Sequence, residues 1–347
     1  MALFKKNDDV EEKKTEREKV EERREEVLAR GRRFKYPLQY AKHKVVTLTI
    51  VISLVAVIAA GTFIHVMLYN AQSTEDIFYR ITQILPYSVA TVDGEKVRYS
   101  DYLLIYKSTI TPIEKQGMIT SGQDFGEMQK YYKRESLNAA EDYTYALKLA
   151  REMDIKVTNE EVDKAIESHR KAGGVERSEE TFNRVLQDNF DLSANEYRRI
   201  IYLSLVSQKV SEKIDELATI VSDEVKGYID AGKSLSEIAK AMGDKVEYEE
   251  TGGLVDKMNI DGGRATVALR LEKGKTSDRF VSNSGDGYYF VTLVDKTEST
   301  VNYTSLHIPF SELKTRIEKI RSEGKIDEKI VLETNVEEEG NAEKNEE

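Results

Sequence analysis

Four histidines and no cysteine bound the chemistry open to this chain. Without thiols there are no disulfides, thiolate metal sites, cysteine nucleophiles or lipid-modified cysteine anchors. His43 and His65 belong to a long apolar segment, His169 to a charged helical stretch, and His307 to an alternating segment near the end. No two stand three or four residues apart, as a helical metal pair requires, so no metal and no cofactor are expected. The phosphate-loop, HExxH and GxSxG patterns are missing from the sequence. Serines and lysines are plentiful, so a Ser–Lys dyad stays open, but nothing points to one. The abundant side chain with a polar handle is tyrosine, 19 in all, including Tyr131, Tyr132, Tyr143, Tyr145, Tyr197 and Tyr202 on or near helical stretches. Any single one is most simply core packing; together such amphipathic rings suit contact with extended chains.

The elements that must position these residues begin with Val45–Leu68, which has no Asp, Glu, Lys or Arg. As a helix it would be roughly 36 Å long, enough to cross a ~30 Å hydrocarbon core with some tilt. Arg30, Arg32, Arg33, Lys35, Lys42 and Lys44 precede it, and Glu75 and Asp76 are the first charges after it. The basic side normally stays cytoplasmic, so residues from Tyr69 onward are expected outside. The run starts too late and is too long for a cleaved signal, which makes it an uncleaved anchor. Residues 1–44 carry 14 Lys and Arg against 10 Asp and Glu, and the rest of the chain 38 against 53. An acidic exterior argues against nucleic-acid binding, which needs clustered positive charge.

The first 44 residues have no core pattern; Asp9–Lys13, Lys14–Glu18, Arg17–Glu21 and Glu26–Arg30 are spaced for i,i+4 pairs on a solvated helix or a disordered tail. Residues 69–87 read as a linker, and 333–347 as an acidic disordered tail. Asp93-Gly94 predicts a hairpin turn between strands Ser88–Val92 and Glu95–Tyr99. Ser100 opens a helix, followed by a looser stretch with Pro112, Gly117, Gly122 and Gly126. Leu137, Ala140, Tyr143, Leu147 and Ala150 then recur at three and four, one apolar helical face. Thr158 with Glu161, and Ser193 with Glu196, are capping boxes; the first helix ends at Gly173-Gly174. Ser178 caps a helix through Phe182 and Leu186, and the Ser193 helix is expected to continue to Leu217, with Ser222 capping the next. Short connections between such helices predict a bundle over residues 88–230.

The succession "VDGEKVRYSDY", "MDIKVTNEEVDKAI", "SEETFNRVLQDNFDLSANEYRRIIYLSLVSQKV" and "VSDEVKGYID" resembles the SurA/PpiD/PrsA group of extracytoplasmic folding factors. In that family this region is a chaperone module that cradles unfolded or newly translocated proteins, and the single outward-facing span is PpiD-like. The fold this implies is a single N-terminal transmembrane helix, an α-helical SurA-N-like module, and a small α+β domain over residues 231–332. The resemblance makes Tyr143, Leu147, Tyr197, Ile201, Tyr202 and Leu205 candidate client contacts. It also implies a lipid bilayer of bacterial plasma-membrane type around the anchor and the secretion machinery as a neighbour.

The last domain is similar to a parvulin-type (PpiC-like) prolyl isomerase, through "LSEIAKAMGD", "TGGLVDKM" and "GYYFVTL". It departs from that pattern. Parvulins have a histidine in the last strand where this chain has Tyr289, and the aromatic that cups the proline ring is matched by Gly262, with Met258 at a family methionine position. The first strand and helix, with the other histidine, are missing between Asp230 and Ser234. "VNYTSLHIPFSELKTRIEKIRSEGKI" either fills that place, which would make the domain circularly rearranged with His307 as its first histidine, or is a hairpin and helix returning to the chaperone module. Isomerisation needs no covalent step, only tighter binding of a twisted amide whose barrier is ~18–20 kcal/mol. His307, Tyr289 and Met258 are thus the candidate catalytic residues, and activity is expected to be weak or absent. The alternative is a non-chaperone bitopic scaffold joining a cytoplasmic partner to an extracytoplasmic one.

Overall fold

The computed structural model describes residues 4–35, 37–115, 123–171, 175–257, 259 and 261–332. Met258, Gly117, Gly122, the Gly173-Gly174 break and the 333–347 tail lie outside the described residues. The chain divides into two units, residues 1–71 and 72–347. In the first, α1 (Phe4–Lys35) carries the charged stretch and α2 (Pro37–His65) runs into a single π-helical turn at Val66–Asn70. Between them they include His43–Asn70, one helical stretch long and apolar enough to cross a membrane. Thr47, Thr49 and Thr62 donate their hydroxyls to the carbonyls of His43, Val45 and Ile58, at 2.8, 2.8 and 2.9 Å. These hydroxyls are therefore satisfied by the helix itself, as an apolar surrounding requires.

The second unit opens with a helix rather than a linker. Residues 69–87, expected as a linker, contain α3 (Asp76–Ile84), whose Phe78, Tyr79 and Thr82 are buried. The hairpin follows as expected. Strands β1 (Ser88–Val92) and β2 (Glu95–Arg98) pair through a turn in which Asp93 and Gly94 have φ of 46° and 85°. Two successive left-handed residues match the twist of the strands. Next, α4 (Tyr99–Lys115) runs through Pro112, and α5 (Gln123–Glu152) includes Gly126, so the loose stretch is shorter than expected. Leu137, Ala140 and Ala150 of α5 are buried, as are Tyr99, Tyr102 and Leu103 of α4.

The capping boxes form at α6 (Asn159–Arg170) and α8 (Ala194–Ile214), and Ser178 caps α7 (Glu179–Val185). Ser222 does not cap a helix. It is buried inside α9 (Glu216–Asp230), with its hydroxyl on the Thr219 carbonyl at 2.9 Å. The break comes earlier, at Asp215, so the Ser193 helix does not reach Leu217.

After α10 (Leu235–Met242), the chain forms β3 (Glu247–Glu250), β4 (Val255–Asp256), α11 (Arg264–Leu269), β5 (Phe280–Val281), β6 (Gly287–Lys296) and β7 (Thr300–Pro309). These strands make an antiparallel sheet in the order β3-β7-β6-β5, with β4 beside β3 on β7. Alternation divides its faces. Tyr288, Phe290, Leu306 and Ile308 pack with Val221, Val225 and Ile238 of α9 and α10. Val291, Leu293, Val301 and Tyr303 pack with Ala265 and Ala268 of α11.

The end of the chain then returns. Helix α12 (Glu312–Ser322) leads to β8 (Ile326–Glu328), which pairs with β1 to give a second sheet, β2-β1-β8. Arg134 of α5 donates from Nη1 to both Glu328 oxygens at 2.8 and 2.9 Å and from Nη2 to the Leu332 carbonyl at 2.6 Å, and Arg321 of α12 reaches the buried Glu141 at 2.6 Å. The segment from Val301 is thus shared: β7 joins the larger sheet, and α12 with β8 returns to the helices.

Both crossings meet at Asp215. One carboxylate oxygen accepts from Ala218 N at 2.9 Å and starts α9; the other accepts from Ser311 N at 2.7 Å and Glu312 N at 3.0 Å and starts α12. The side chain of Ser311, the local cap position, makes no capping bond. Asp215→Ala strips a cap from two helices at once, and urea unfolding should show a loss of about 2–4 kcal/mol. Asp215→Asn, which keeps one acceptor oxygen, should cost less.

Candidate functional site

One row of side chains crosses the larger sheet. Tyr289 of β6 is in register with His307 of β7, His307 with Glu247 of β3, and Tyr289 with Phe280 of β5. The residues alternate to the same face as Val291 and Tyr303, the face covered by α11. The Tyr289 and His307 rings stack with centroids 4.3 Å apart and planes 11° from parallel. His307 Nδ1 lies 2.8 Å from Glu247 Oε2, while its Nε2 is buried with no hydrogen-bond partner. Phe280 flanks Tyr289 at 6.0 Å, and the Arg264 guanidinium from α11 lies 5.4 Å from the ring centre. Arg264 is held in turn by Glu249 and by the Asp261 carbonyl.

The hydroxyl end of Tyr289 is equally fixed. It donates to Asp286 Oδ2 at 3.1 Å, and Ser282 and Ser284 donate to Asp286 Oδ1. Burial pushes the Asp286 carboxyl up, but the Ser282 bond, the nearby His307 and the bonds from Tyr289 and Ser284 outweigh it and hold it below the usual range. Burial first, then Asp286, pushes the Tyr289 hydroxyl well above its ordinary value, so it remains a donor. Asp261 performs a similar service one step away. Its carboxylate accepts from Ala265 N at 3.0 Å and from the Tyr303 hydroxyl at 2.6 Å, which starts α11 and places Arg264.

The sequence could indicate His307 and Tyr289 only as members of two separated segments; the sheet makes them neighbours. Missed altogether were Glu247, Asp286 and Arg264, ordinary charged residues whose meaning depends on register. Gly262 has φ +69°, and a Cβ there would meet the Ser282 Cβ at 3.1 Å, so no aromatic cup fits at that point. Tyr289 is only 6% exposed, its ring covered rather than open to a ligand.

The six candidate client contacts lie on α5 and α8. Ile201 is buried and belongs to the core, which corrects its place among them. Tyr143, Leu147, Tyr202 and Leu205 are half-buried on α5 and α8. Tyr197 lines a cavity of about 310 Å³ with Ile166, Phe182 and Leu186, where α6, α7 and α8 meet. Its hydroxyl lies 2.6 Å from His169 Nδ1. His169 is therefore not simply on a charged face, and burial lowers its pKa from the ordinary 6.5. A second cavity, of about 360 Å³, is lined by Tyr79, Arg98, Asp101, Lys107 and Arg199, with Arg199 clamped to Asp101 at 3.0 and 2.6 Å.

The second unit is a helical bundle closed by a hairpin and carrying a small antiparallel sheet. A family comparison matches residues 38–211 to the SurA-like N-terminal domain, half of the chain, and the protein belongs to that family. No curated protein matches it significantly.

A Cβ on Gly287 would stand 2.3 Å from the Ile308 carbonyl oxygen and 2.5 Å from His307 Nε2. Gly287→Ala should therefore displace His307 and cost about 1–3 kcal/mol in urea unfolding, with a shifted imidazole signal in NMR. For His169 the folded pKa is the lower one, so its contribution is full above the ordinary 6.5 and is lost as pH falls through the folded value. Between pH 7 and 5 the melting temperature of His169→Gln should fall less than that of the parent.

Proposed function

We propose that this protein is a membrane-tethered extracytoplasmic holdase for unfolded or newly translocated polypeptides, with weak or absent prolyl isomerase activity. The observation that carries the reading is the SurA-like N-terminal domain, whose match begins at residue 38, just ahead of the apolar stretch, and runs to residue 211 in α8. The helix acts as a single-pass anchor in a plasma membrane of bacterial type. The basic residues before it favour a cytoplasmic N-terminus. Placed there, the module stands where polypeptides leave the bilayer, near the secretion machinery. The half-buried tyrosines and the cavity beside Tyr197 give it amphipathic surfaces for extended chains, and no cofactor is needed.

The larger sheet is read as a rearranged parvulin domain. Support comes from β7 lying between β3 and β6, with His307 beside Tyr289 on the neighbouring strand. Under this reading His307 and Tyr289 are remnants of a catalytic pair. A parvulin lowers the amide barrier by binding the twisted peptide, which requires an accessible apolar cup. Here the Tyr289 ring is covered by His307 and flanked by Phe280 and Arg264, and Gly262 provides no cup.

The full chain in nanodiscs should suppress aggregation of unrelated unfolded proteins at near-stoichiometric ratios. No suppression, together with capture of one stoichiometric partner, would establish the bitopic scaffold instead. In refolding limited by a proline step of ~10–100 s, acceleration should be no more than a few-fold and should vanish in His307→Ala but not in Tyr289→Phe.

A further inference from the structure

Helix α3 buries one side and leaves a row of apolar residues exposed beside it. Phe78, Tyr79 and Thr82 point into the second unit, and Asp76 fastens the helix to α4 through Lys107 at 3.3 Å. With about 100° between successive residues, Ile77, Ile81 and Ile84 form that row. Ile77 is 62% exposed and Ile84 84%, and Leu85 continues the patch at 43%. Exposed isoleucines at i and i+7, joined by a partly exposed one at i+4, are costly in water and mark a surface with a partner.

The covalent path identifies that partner. The apolar helical stretch ends at Asn70 and α3 begins at Asp76, so the two are separated by about 20 Å even with the connection fully extended. If the stretch spans a membrane, the start of α3 is held within about 20 Å of its end, so the headgroup layer is in reach, whichever side that is. The flanking charges are compatible with this position. Arg80 and Asp76 neutralise each other at 2.6 Å on the flank of the helix, so attraction to anionic lipid is not needed.

Resting on the tether reading above, we infer that α3 is an interfacial helix whose Ile77–Ile81–Ile84 stripe lies in the acyl–headgroup boundary of the bilayer. Its occupant is a lipid surface, bound through apolar contact and therefore indifferent to salt. The inner face of α3 is fixed to α4 through Asp76 and Lys107, so the helix belongs to the second unit.

The chain has no native cysteine, so single labels go only where they are placed. The full chain is reconstituted in phosphatidylcholine vesicles containing brominated lipid, with a fluorophore on Ile77→Cys, Ile84→Cys, Gln83→Cys or Val57→Cys. Ile77, Gln83 and Ile84 are all exposed, so these labels leave the core intact. Lipid quenching should be several-fold stronger at Ile77 and Ile84 than at Gln83, and unchanged at high salt. Equal weak quenching at all three, with Val57 quenched, would overturn the interfacial helix and leave the tether standing. An unquenched Val57 would overturn both. Coupling between spin labels at Ile84 of separate copies, without lipid quenching, would assign the stripe to a second copy and also overturn the inference.

Discussion

The structure of the second unit depends on one buried carboxylate. The chain leaves the helices for the larger sheet at Asp215 and leaves that sheet for the helices at Ser311, 96 residues later. Asp215, 3% exposed, receives backbone N–H groups at both points. A helix start leaves unpaired donors and a partial positive charge. Two such starts facing each other would repel and remain unsatisfied, and one carboxylate between them removes both penalties. The segment between the crossings can then fold as its own layered element, because both ends are held at one place.

That tie explains why the end of the chain can build part of its beginning. The start of α12 is fixed at Asp215, and its far end brings Arg321 to Glu141 and β8 to β1. Glu141 is fully buried, and burial pushes its carboxyl up to about 7 despite the Arg321 bond. Glu328 adds to that upward push, and Arg321 lies between the two carboxylates, 2.6 Å from Glu141 and 3.5 Å from Glu328. The hairpin at Asp93-Gly94 is widened by β8 to three strands, where two alone would be marginal.

What could be read in the sequence was local. The two capping boxes and the Asp-Gly turn depend on residues a few positions apart, and each appears where its spacing places it. Ser222 was misread because a helical serine has the same chemistry as a cap; its hydroxyl bonds back to Thr219. The break belonged to Asp215, whose second role depends on a residue far along the chain. Helix α3 was hidden for a different reason: at nine residues it is shorter than the stretch over which a helical stripe stands out in a sequence. His307 and Tyr289 were visible as residue types, but their stacking depends on the register of β6 and β7, which no local pattern specifies.

The stacked row also limits what the larger sheet can do. A histidine and a tyrosine on neighbouring strands could present polar groups to a peptide, as the parvulin resemblance implies. Here each is engaged: Tyr289 by Asp286 at its hydroxyl and by His307 at its face, His307 by Glu247 at Nδ1. Gly287 lets the imidazole approach the strand so closely that Nε2 is shut away from water and from any acceptor. To engage a substrate carbonyl, that nitrogen would have to move, and movement would break the stack and the Glu247 contact together. The same neighbourhood forms the floor beneath α11, through Arg264 and the Asp261–Tyr303 bond. Chemistry at this row therefore competes with the packing of the sheet that carries α12 back to the helices.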